Sequence, residues 1–129
     1  MFVCIMDEEQ SQEENMTARI IDGKLIGEEL RKEVADGVKQ RVDAGKSRPG
    51  LATVLVGENP ASQVYVKSKQ KACAEVGIES FGYELPREAG QEEVEKLVKK
   101  LNADPTVNGI LVQLPLPSGF DEEKILSAI

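Results

Sequence analysis

The chain has no histidine and no tryptophan, and it has only two cysteines among its 129 residues. Histidine is the usual partner of a catalytic serine or cysteine, and it is a common metal ligand. We therefore expect neither Ser62 nor Cys73 to act as a nucleophile, and we expect Cys73 to be a small buried residue. Because Cys4 and Cys73 lack CxxC spacing, the sequence favours the reduced thiols of a cytoplasmic protein over a zinc site or a disulfide.

Charge and hydropathy argue against two classes of partner. The formal net charge is −7, and residues 1–15 hold five acids and no base, whereas the rest of the chain has 18 acids and 16 bases. A nearly neutral body has no basic footprint for nucleic acid or for an anionic membrane. No segment reaches the roughly 20 apolar residues that span a bilayer. We predict a disordered acidic leader over 1–15 and an ordered domain over 16–129, with Met16 interpreted as the native start.

Apolar periodicity predicts alternating helices and strands after a first helix. Apolar residues recur about every four positions over 23–44, which is typical of one helix face. The run 50–57 is short, continuous and apolar, which is typical of a strand buried on both faces. Further along we expect helices over 60–76, over 90–105 and from 118, a second strand over 78–86 and a buried strand over 107–115. This order predicts an α/β fold: an open parallel sheet with βαβαβ order, covered by helices and preceded by an N-terminal helix.

Capping residues predict where two of these helices begin. Asn59 followed by Pro60 marks the start of the helix after the first strand. Ser118 and Asp121 have the spacing of a capping box at the last helix. Because no cap follows its apolar positions, we expect that helix to continue to Ile129, so that the sequence looks cut there.

Three lysines lie close together at positions 67, 69 and 71, in the helix predicted after Pro60. At about 100° per residue, Lys67 and Lys71 are about 40° apart and share a face, whereas Lys69 lies about 200° from Lys67. The face that carries Lys69 also carries small and apolar residues together with Tyr65 and Ser62. The three lysines are therefore not predicted to form one basic patch.

Lys69 has two interpretations on such a face. In the commoner arrangement its stem lies along apolar surface while its amine reaches water. In the other, the amine is desolvated, which disfavours the charged form and lowers the pKa, so that the amine can exchange a proton near neutral pH. Tyr65 lies one turn earlier and favours the second interpretation, because it places a hydroxyl on the same stripe.

The loops that follow the first and third predicted strands meet at one edge of the sheet. In open parallel sheets, ligands bind in the crevice outside the carboxyl ends of the strands. Lys69, Tyr65 and Gln113 could converge there, although Gln113 at a strand end could equally bond backbone. "LPLP" and Asp22-Gly23 are interpreted as turns. The first loop has one glycine and fits neither GxGxxG nor GxxxxGK[ST], so no dinucleotide site is expected within this chain.

The segments "VGENPASQVYVKSKQKACAEVGI" and "GILVQLPLP", with "IIDGK" ahead of the first helix, closely resemble the bacterial bifunctional methylenetetrahydrofolate dehydrogenase/methenyltetrahydrofolate cyclohydrolase family. The resemblance runs from Ala18 to Ile129. It implies a catalytic N-terminal domain, a Rossmann domain that binds NADP and lies outside this chain, and a folate site in the cleft between them. It also implies tetrahydrofolate one-carbon derivatives as ligands, no metal, and a homodimer for the full-length family.

The resemblance implies roles for individual residues. Lys69 matches the family's catalytic lysine, Tyr65 the tyrosine that stacks on and orients the folate, and Gln113 the glutamine that hydrogen-bonds the lysine. Substrate contacts are implied along both motifs, at Ser62, Tyr65, Lys69, Val112, Gln113, Leu114 and Pro115. The implied reactions are the NADP-dependent oxidation of 5,10-methylenetetrahydrofolate to the methenyl form and the hydrolysis of that form to 10-formyltetrahydrofolate.

The sequence leaves more than one function open. In the first hypothesis, the chain is the catalytic folate-binding half of such an enzyme and is inactive as a dehydrogenase without its continuation. In the second, it is a non-catalytic remnant that acts as a binding or interaction module, with its last helix docking on a partner. A small phosphate-binding α/β domain is a third hypothesis, which the lone glycine of the first loop disfavours. A continuation with an Asp-Gly motif and a glycine-rich loop would favour the first.

Overall fold

A computed structural model describes residues 20–129 of the chain. The predictions for the leader over 1–15, for the start at Met16 and for Cys4 lie outside the described residues. The helices and strands, in chain order, are α1 (Gly23–Asp43), β1 (Gly50–Val56), α2 (Pro60–Val76), β2 (Glu79–Leu85), α3 (Gly90–Asn102), β3 (Gly109–Val112) and α4 (Glu122–Ser127), with a short 3-10 turn over Arg87–Ala89. The predicted α/β order after an N-terminal helix is confirmed.

The strands of the described chain form a parallel sheet of three, in the order β2-β1-β3. Because β1 lies in the centre, its residues are covered on both faces, and Thr53 and Val54 are both 0% exposed. Successive side chains of a strand point to opposite faces. Val54 and Val56 pack in the cluster that includes Val94 of α3, whereas Thr53 faces α2. The prediction of a first strand buried on both faces is confirmed.

The main hydrophobic core lies between the sheet and the pair α3 and α4. Burial of apolar surface is the dominant favourable contribution to folding. Its fully or nearly fully buried members come from β1, α3, β3, α4 and the loop before α4: Ala52, Val54, Val56, Val94, Val98, Leu101, Val112, Leu116 and Ile125. On the other face of the sheet, α2 packs against β1 and β2, and α1 packs on α2. The carboxyl ends of all three strands therefore open at one edge, next to the start of α2.

The prediction for the third strand is correct in kind but too long and too buried. The sequence indicated a buried strand over 107–115, whereas β3 covers Gly109–Val112 and only Val112 is buried in it. The reason is its place at the edge of the described sheet, with β1 as its paired neighbour. Gln113 therefore follows the strand, although its backbone N–H still donates to Val54 O at 2.9 Å.

Two predicted features of helix ends are wrong. Asp121 is the N-cap of α4, its Oδ1 accepting from Lys124 N at 3.0 Å, whereas Ser118 Oγ accepts from Arg87 Nη2 at 2.8 Å, so the two residues do not form a capping box. The last helix ends at Ser127 and does not continue to Ile129.

The starts of the first two helices show one further correction and one confirmation. Asp22 was interpreted as part of a plain turn, but its Oδ1 accepts from Lys24 N and from Leu25 N, both at 3.0 Å, and so caps α1. Asn59 caps α2 as predicted, with Oδ1 accepting from Ser62 N at 3.0 Å. A side-chain oxygen in this position satisfies N–H groups that have no partner within the helix.

Candidate functional site

The rotation of α2 on the sheet separates the three lysines as the sequence predicted. Its buried stripe consists of Ser62, Val66, Cys73 and Val76. Lys67 and Lys71 are exposed, and Lys71 Nζ lies 3.9 Å from Glu75 Oε1 on the solvent side. Lys69 is partly buried beside the stripe. The three lysines therefore do not form one basic patch, and Lys69 alone among them turns toward the sheet.

Lys69 and Gln113 meet at the carboxyl end of β3. Lys69 Nζ donates to Gln113 Oε1 at 2.8 Å, across 44 residues of sequence. The other half of the Gln113 amide is also engaged, since Nε2 donates to Leu114 O at 2.7 Å. Because the Gln113 backbone N–H is bonded to Val54 as well, the amide oxygen has a fixed position and presents a neutral acceptor to the amine.

Tyr65 is one helical turn before Lys69 and is 62% exposed, with Val64 beside it at 66%. A helix surface brings residues four apart onto one face, so the exposed ring of Tyr65 lies on the same side of α2 as Lys69. Leu114 is also partly exposed, at 37%, and the bond from Leu114 to Pro115 is cis. In the sequence, the exposed Tyr65 precedes Lys69 by four residues, and the exposed Leu114 directly follows Gln113.

The other predicted contact residues are less accessible. Ser62 is 3% exposed and Val112 is 6% exposed. Ser62 lies in the buried stripe of α2, and Val112 lies in the core cluster. The Ser62 side chain faces the sheet from α2, whereas the Val112 side chain packs in the core cluster on the α3 side of the sheet. The structure therefore brings Lys69 and Gln113 together, leaves Tyr65, Leu114 and Pro115 at the surface, and places Ser62 and Val112 inside.

A cleft of about 440 Å³ lies among the loops that follow the three strands. Its walls come from the ends of β1 and β2 and from the loop after β3: Val56, Gly57, Glu58, Asn59, Pro86, Arg87, Glu88, Pro115, Leu116 and Pro117. Pro115 belongs both to this wall and to the predicted contact residues, whereas Lys69 and Gln113 do not line the cleft. Its charged lining residues are one arginine and two glutamates, which gives no net attraction for an anion.

Cys73 behaves as the sequence predicted. It is 7% exposed in the stripe of α2 that faces the sheet. Burial raises the pKa of its thiol, which disfavours the nucleophilic thiolate. Within residues 20–129, no group of three or more histidine, cysteine, aspartate and glutamate side chains is placed to hold a metal ion.

One polar pair next to Lys69 was not predicted from the sequence. Gln70 Nε2 donates to Thr53 Oγ1 at 3.2 Å, which links α2 to the centre of the sheet. A signal for it exists, because Thr53 is a polar residue inside the otherwise apolar run "GLATVLVG". A buried hydroxyl needs a hydrogen-bond partner, but the sequence does not tell which side chain supplies it.

The family model for the tetrahydrofolate dehydrogenase/cyclohydrolase catalytic domain matches residues 21–129. Among solved structures, a bifunctional methylenetetrahydrofolate dehydrogenase/cyclohydrolase from Campylobacter jejuni is 44% identical with a TM-score of 0.80, and the match covers 84% of this chain. A 5,10-methylenetetrahydrofolate dehydrogenase from the silkworm Bombyx mori is 36% identical over 88% of this chain, with a TM-score of 0.83.

A third similar structure is the methylenetetrahydrofolate dehydrogenase-cyclohydrolase from Trypanosoma brucei, described as complexed with NADP cofactor and inhibitor. It is 38% identical over 87% of this chain, with a TM-score of 0.79. The matches cover only 38% to 39% of the length of these three proteins. None of the helices formed by residues 20–129 is long and apolar enough to cross a membrane.

Proposed function

Because this chain belongs to the tetrahydrofolate dehydrogenase/cyclohydrolase family, we propose that it supplies the catalytic, folate-binding half of an enzyme of one-carbon metabolism. The two reactions are the NADP-dependent oxidation of 5,10-methylenetetrahydrofolate to the methenyl form, and the hydrolysis of that form to 10-formyltetrahydrofolate. The observation that carries the proposal is the 2.8 Å hydrogen bond from Lys69 Nζ to Gln113 Oε1, at the carboxyl ends of the strands. Ligands of open parallel sheets bind outside those ends.

Lys69 is the proton carrier of the proposed hydrolysis. The water oxygen bonds to the methenyl carbon, the electrons of the C=N bond return to the ring nitrogen, and the Lys69 amine, acting as general base, takes the proton that water loses. The amine then returns this proton to the ring nitrogen as the bond from carbon to that nitrogen breaks. The hydroxyl loses its proton to solvent as the formyl C=O forms. A positioned acid-base group of this kind contributes roughly 10²–10⁴-fold to a rate.

The chemistry of Gln113 suits a substrate that is itself a cation. A carboxylate beside Lys69 would favour the ammonium form, and a second positive charge next to the methenyl cation is unfavourable. Gln113 is a neutral amide, so it aims the amine without adding a charge. Its position is defined by its bonds to Val54 O and to Leu114 O.

Tyr65 and the segment after β3 have positioning roles in this proposal. Tyr65 is exposed on the same side of α2 as Lys69, and an exposed ring can stack on a flat heterocycle. Leu114 and Pro115 supply apolar surface beside Gln113, whereas Ser62 and Val112 are buried and support α2 and the end of β3 from inside. Holding the reacting atoms in one geometry lowers the entropic part of the barrier.

The described residues do not fit NADP. A dinucleotide site of the usual kind places its pyrophosphate at the N-terminus of the first helix after a strand, through free N–H groups and closely spaced glycines. At the start of α2, the Ser62 N–H already donates to the Asn59 side chain, Pro60 has no N–H, and Glu58 adds a negative charge. We therefore place the cofactor site, and with it the hydride transfer, outside residues 20–129. The full-length protein is expected to be a cytoplasmic homodimer.

The interaction-module hypothesis has one observation in its favour. Of the apolar residues predicted to form one stripe of α1, Val38 is buried, whereas Leu25 and Leu30 are 53% and 55% exposed. Exposed apolar faces of this kind mark surfaces that another protein segment covers. If the gene product that contains this chain neither binds tetrahydrofolate nor hydrolyses the methenyl form, this hypothesis is the better one.

The deciding experiment substitutes Lys69→Met in the natural gene product that contains this chain. Hydrolysis is followed by the loss of methenyltetrahydrofolate absorbance, and folate binding is followed by calorimetry. We expect at least a 100-fold fall in hydrolysis with folate binding retained, because the proton carrier is removed while the ring and apolar contacts remain. Lys67→Met is the matched control, since Lys67 is exposed on the opposite face of α2. Hydrolysis retained in Lys69→Met would contradict the proposal.

A further inference from the structure

The residue that follows Lys69 makes its own bond to the sheet. Gln70 Nε2 donates to Thr53 Oγ1 at 3.2 Å, and Thr53 is 0% exposed. Thr53 Oγ1 also lies 3.5 Å from Phe81 O, to which its hydroxyl donates. The Gln70 amide therefore reaches the centre of the sheet and bonds a hydroxyl of β1 that water does not reach.

The strand beside this contact has no side chain at the point where Gln70 enters. Gly82 is the residue of β2 that pairs with Thr53. A Cβ atom at Gly82 would stand 2.6 Å from Gln70 Nε2, closer than such contacts occur, while its next neighbours would be at 3.8 Å and 4.0 Å. The amide of Gln70 thus occupies the space that a side chain at Gly82 would need.

Lys69 and Gln70 lie on either side of the centre of the buried stripe of α2. With Lys67 at zero on the helical wheel, the stripe is centred at about 225°, Lys69 is at about 200° and Gln70 at about 300°. Gln70 is bonded to Thr53 of β1, beside Gly82 of β2, whereas Lys69 is bonded to Gln113 at the end of β3. Two polar bonds, made by residues about 100° apart around α2, restrict the rotation of the helix about its axis.

Small rotations of α2 matter for the amine. A lysine nitrogen roughly 8 Å from the helix axis moves by about 1.4 Å when the helix turns by about 10°. That displacement is enough to break the bond between Lys69 and Gln113. Displacements of about 1 Å from a productive geometry can reduce a rate on the order of 100-fold.

We propose that Gln70 is a positioning residue that, with Thr53 and Gly82, forms a rotation clamp. The clamp holds α2 so that Lys69 Nζ meets Gln113. It acts through Lys69 and does not touch the reacting atoms. The inference rests on the proposed function only where it treats the Lys69 amine as the proton carrier.

The test measures the position of the amine directly, by competitive labelling of lysine amines in the folded protein with Lys67 as internal reference. Gln70→Leu removes the hydrogen-bond donor at similar side-chain volume. Gly82→Ala displaces the Gln70 amide and leaves the sequence of α2 unchanged. In each variant we expect the labelling of Lys69 relative to Lys67 to rise about fivefold, the factor that corresponds to one ordinary hydrogen bond. Gln40→Leu, at an exposed position of α1, is the control and leaves the ratio unchanged.

A double-mutant cycle separates the clamp from a loss of stability. Once Gln70 is alanine, the obstacle to a Cβ at Gly82 is gone, so Gly82→Ala should change the labelling ratio no further. A merely structural role would lower the urea midpoint of unfolding and leave the ratio unchanged. An unchanged ratio in the folded single variants, or additive effects in the cycle, would overturn the clamp.

The activity of the same variants distinguishes this inference from the proposed function. In the natural gene product, Gln70→Leu should lower kcat for hydrolysis about tenfold or more, with folate binding unchanged. If the labelling ratio rises but Lys69→Met keeps full hydrolysis, the clamp stands and the proposed function fails. If Lys69→Met abolishes hydrolysis but Gln70→Leu leaves both ratio and kcat unchanged, the proposed function stands and the clamp is wrong.

Discussion

Replacing Ile125 by alanine tests whether α4 is part of the core. Ile125 is 0% exposed and belongs to the main cluster, which contains Val94, Val98 and Leu101 of α3. The substitution removes three buried carbon atoms, and at about 0.8 kcal/mol for each the transfer contribution is about 2.4 kcal/mol. The cavity left between two packed helices adds to this figure, so we expect the free energy of unfolding to fall by about 3–4 kcal/mol.

The assay is urea unfolding followed by far-ultraviolet circular dichroism. With a slope of roughly 1–3 kcal/mol per molar urea for a small domain, the loss lowers the midpoint by more than about 1 M. Leu126→Ala is the matched control, because Leu126 is the next residue of the same helix and is 39% exposed. It should cost less than about 1 kcal/mol. Ile125→Val, expected to cost about 0.5–1.5 kcal/mol, serves if the alanine variant is too unstable to measure.

The contrast between the two neighbouring residues decides the question. A helix of six residues, Glu122–Ser127, is too short to be stable on its own in water, so its stability has to come from docking. If Ile125→Ala and Leu126→Ala shift the midpoint equally, or if neither shifts it, α4 is not docked on α3 through Ile125. The core as described would then be wrong at this end of the domain.

Two further predictions concern charge and space. The pKa of Glu95 is lowered, first because Lys124 Nζ donates to its Oε1 at 2.9 Å. The stability that results is fully present above the pKa that Glu95 has in the unfolded chain, and it is lost as the pH falls through the lower pKa of Glu95 in the folded chain. Lys124→Met should raise the Glu95 pKa toward its ordinary value, and a carboxyl carbon NMR titration that shows no change would contradict this. Gly50→Ala should destabilise the domain by about 1–3 kcal/mol or more, because the new methyl group meets the backbone of Thr106. Gly37→Ala, in open space within α1, should stabilise the domain by about 0.5–1 kcal/mol in the same urea assay.

The order of elements follows from the sequence because local patterns determine it. The continuous apolar run of β1 and the Asn59-Pro60 start of α2 depend on neighbours within a few residues. The length and burial of β3 depend instead on its place in the sheet, which is a long-range property. Ser118 is not a helix cap for the same reason, since its hydroxyl oxygen accepts a hydrogen bond from Arg87, which is distant in sequence. A local capping pattern does not predict a cap correctly when the capping side chain bonds a residue that is distant in sequence.

The first helix shows a different limit of the sequence. Its apolar spacing correctly indicated one helix, and α1 covers Gly23–Asp43. The same spacing does not tell how much of the stripe is covered, and in the described chain the half that contains Leu25 and Leu30 faces outward. Periodicity indicates which residues share a face. Whether another element covers that face depends on tertiary packing, which the spacing of residues within one helix does not contain.

The candidate site was predictable in part. The helical wheel alone separated Lys69 from Lys67, because direction around a helix depends only on residue number. The position of Gln113 near Lys69 required the additional rule that parallel strands end at one edge. The bond between Gln70 and Thr53 required the register of β1 against β2, which places Gly82 beside Thr53. No pattern within α2 contains that register.

The precision of the pair comes from one strand. Thr53 and Val54 are consecutive residues in the centre of the sheet and both are 0% exposed. Thr53 receives the Gln70 amide and so orients the helix that carries Lys69, whereas the carbonyl of Val54 receives the N–H of Gln113 and so places the acceptor. Amine and acceptor come from a helix and a loop, elements that shift more easily than a central strand. The amine and its acceptor are both anchored to adjacent residues of β1. A displacement of that strand therefore moves the two groups together and preserves the 2.8 Å contact, whereas a rotation of α2 alone separates them.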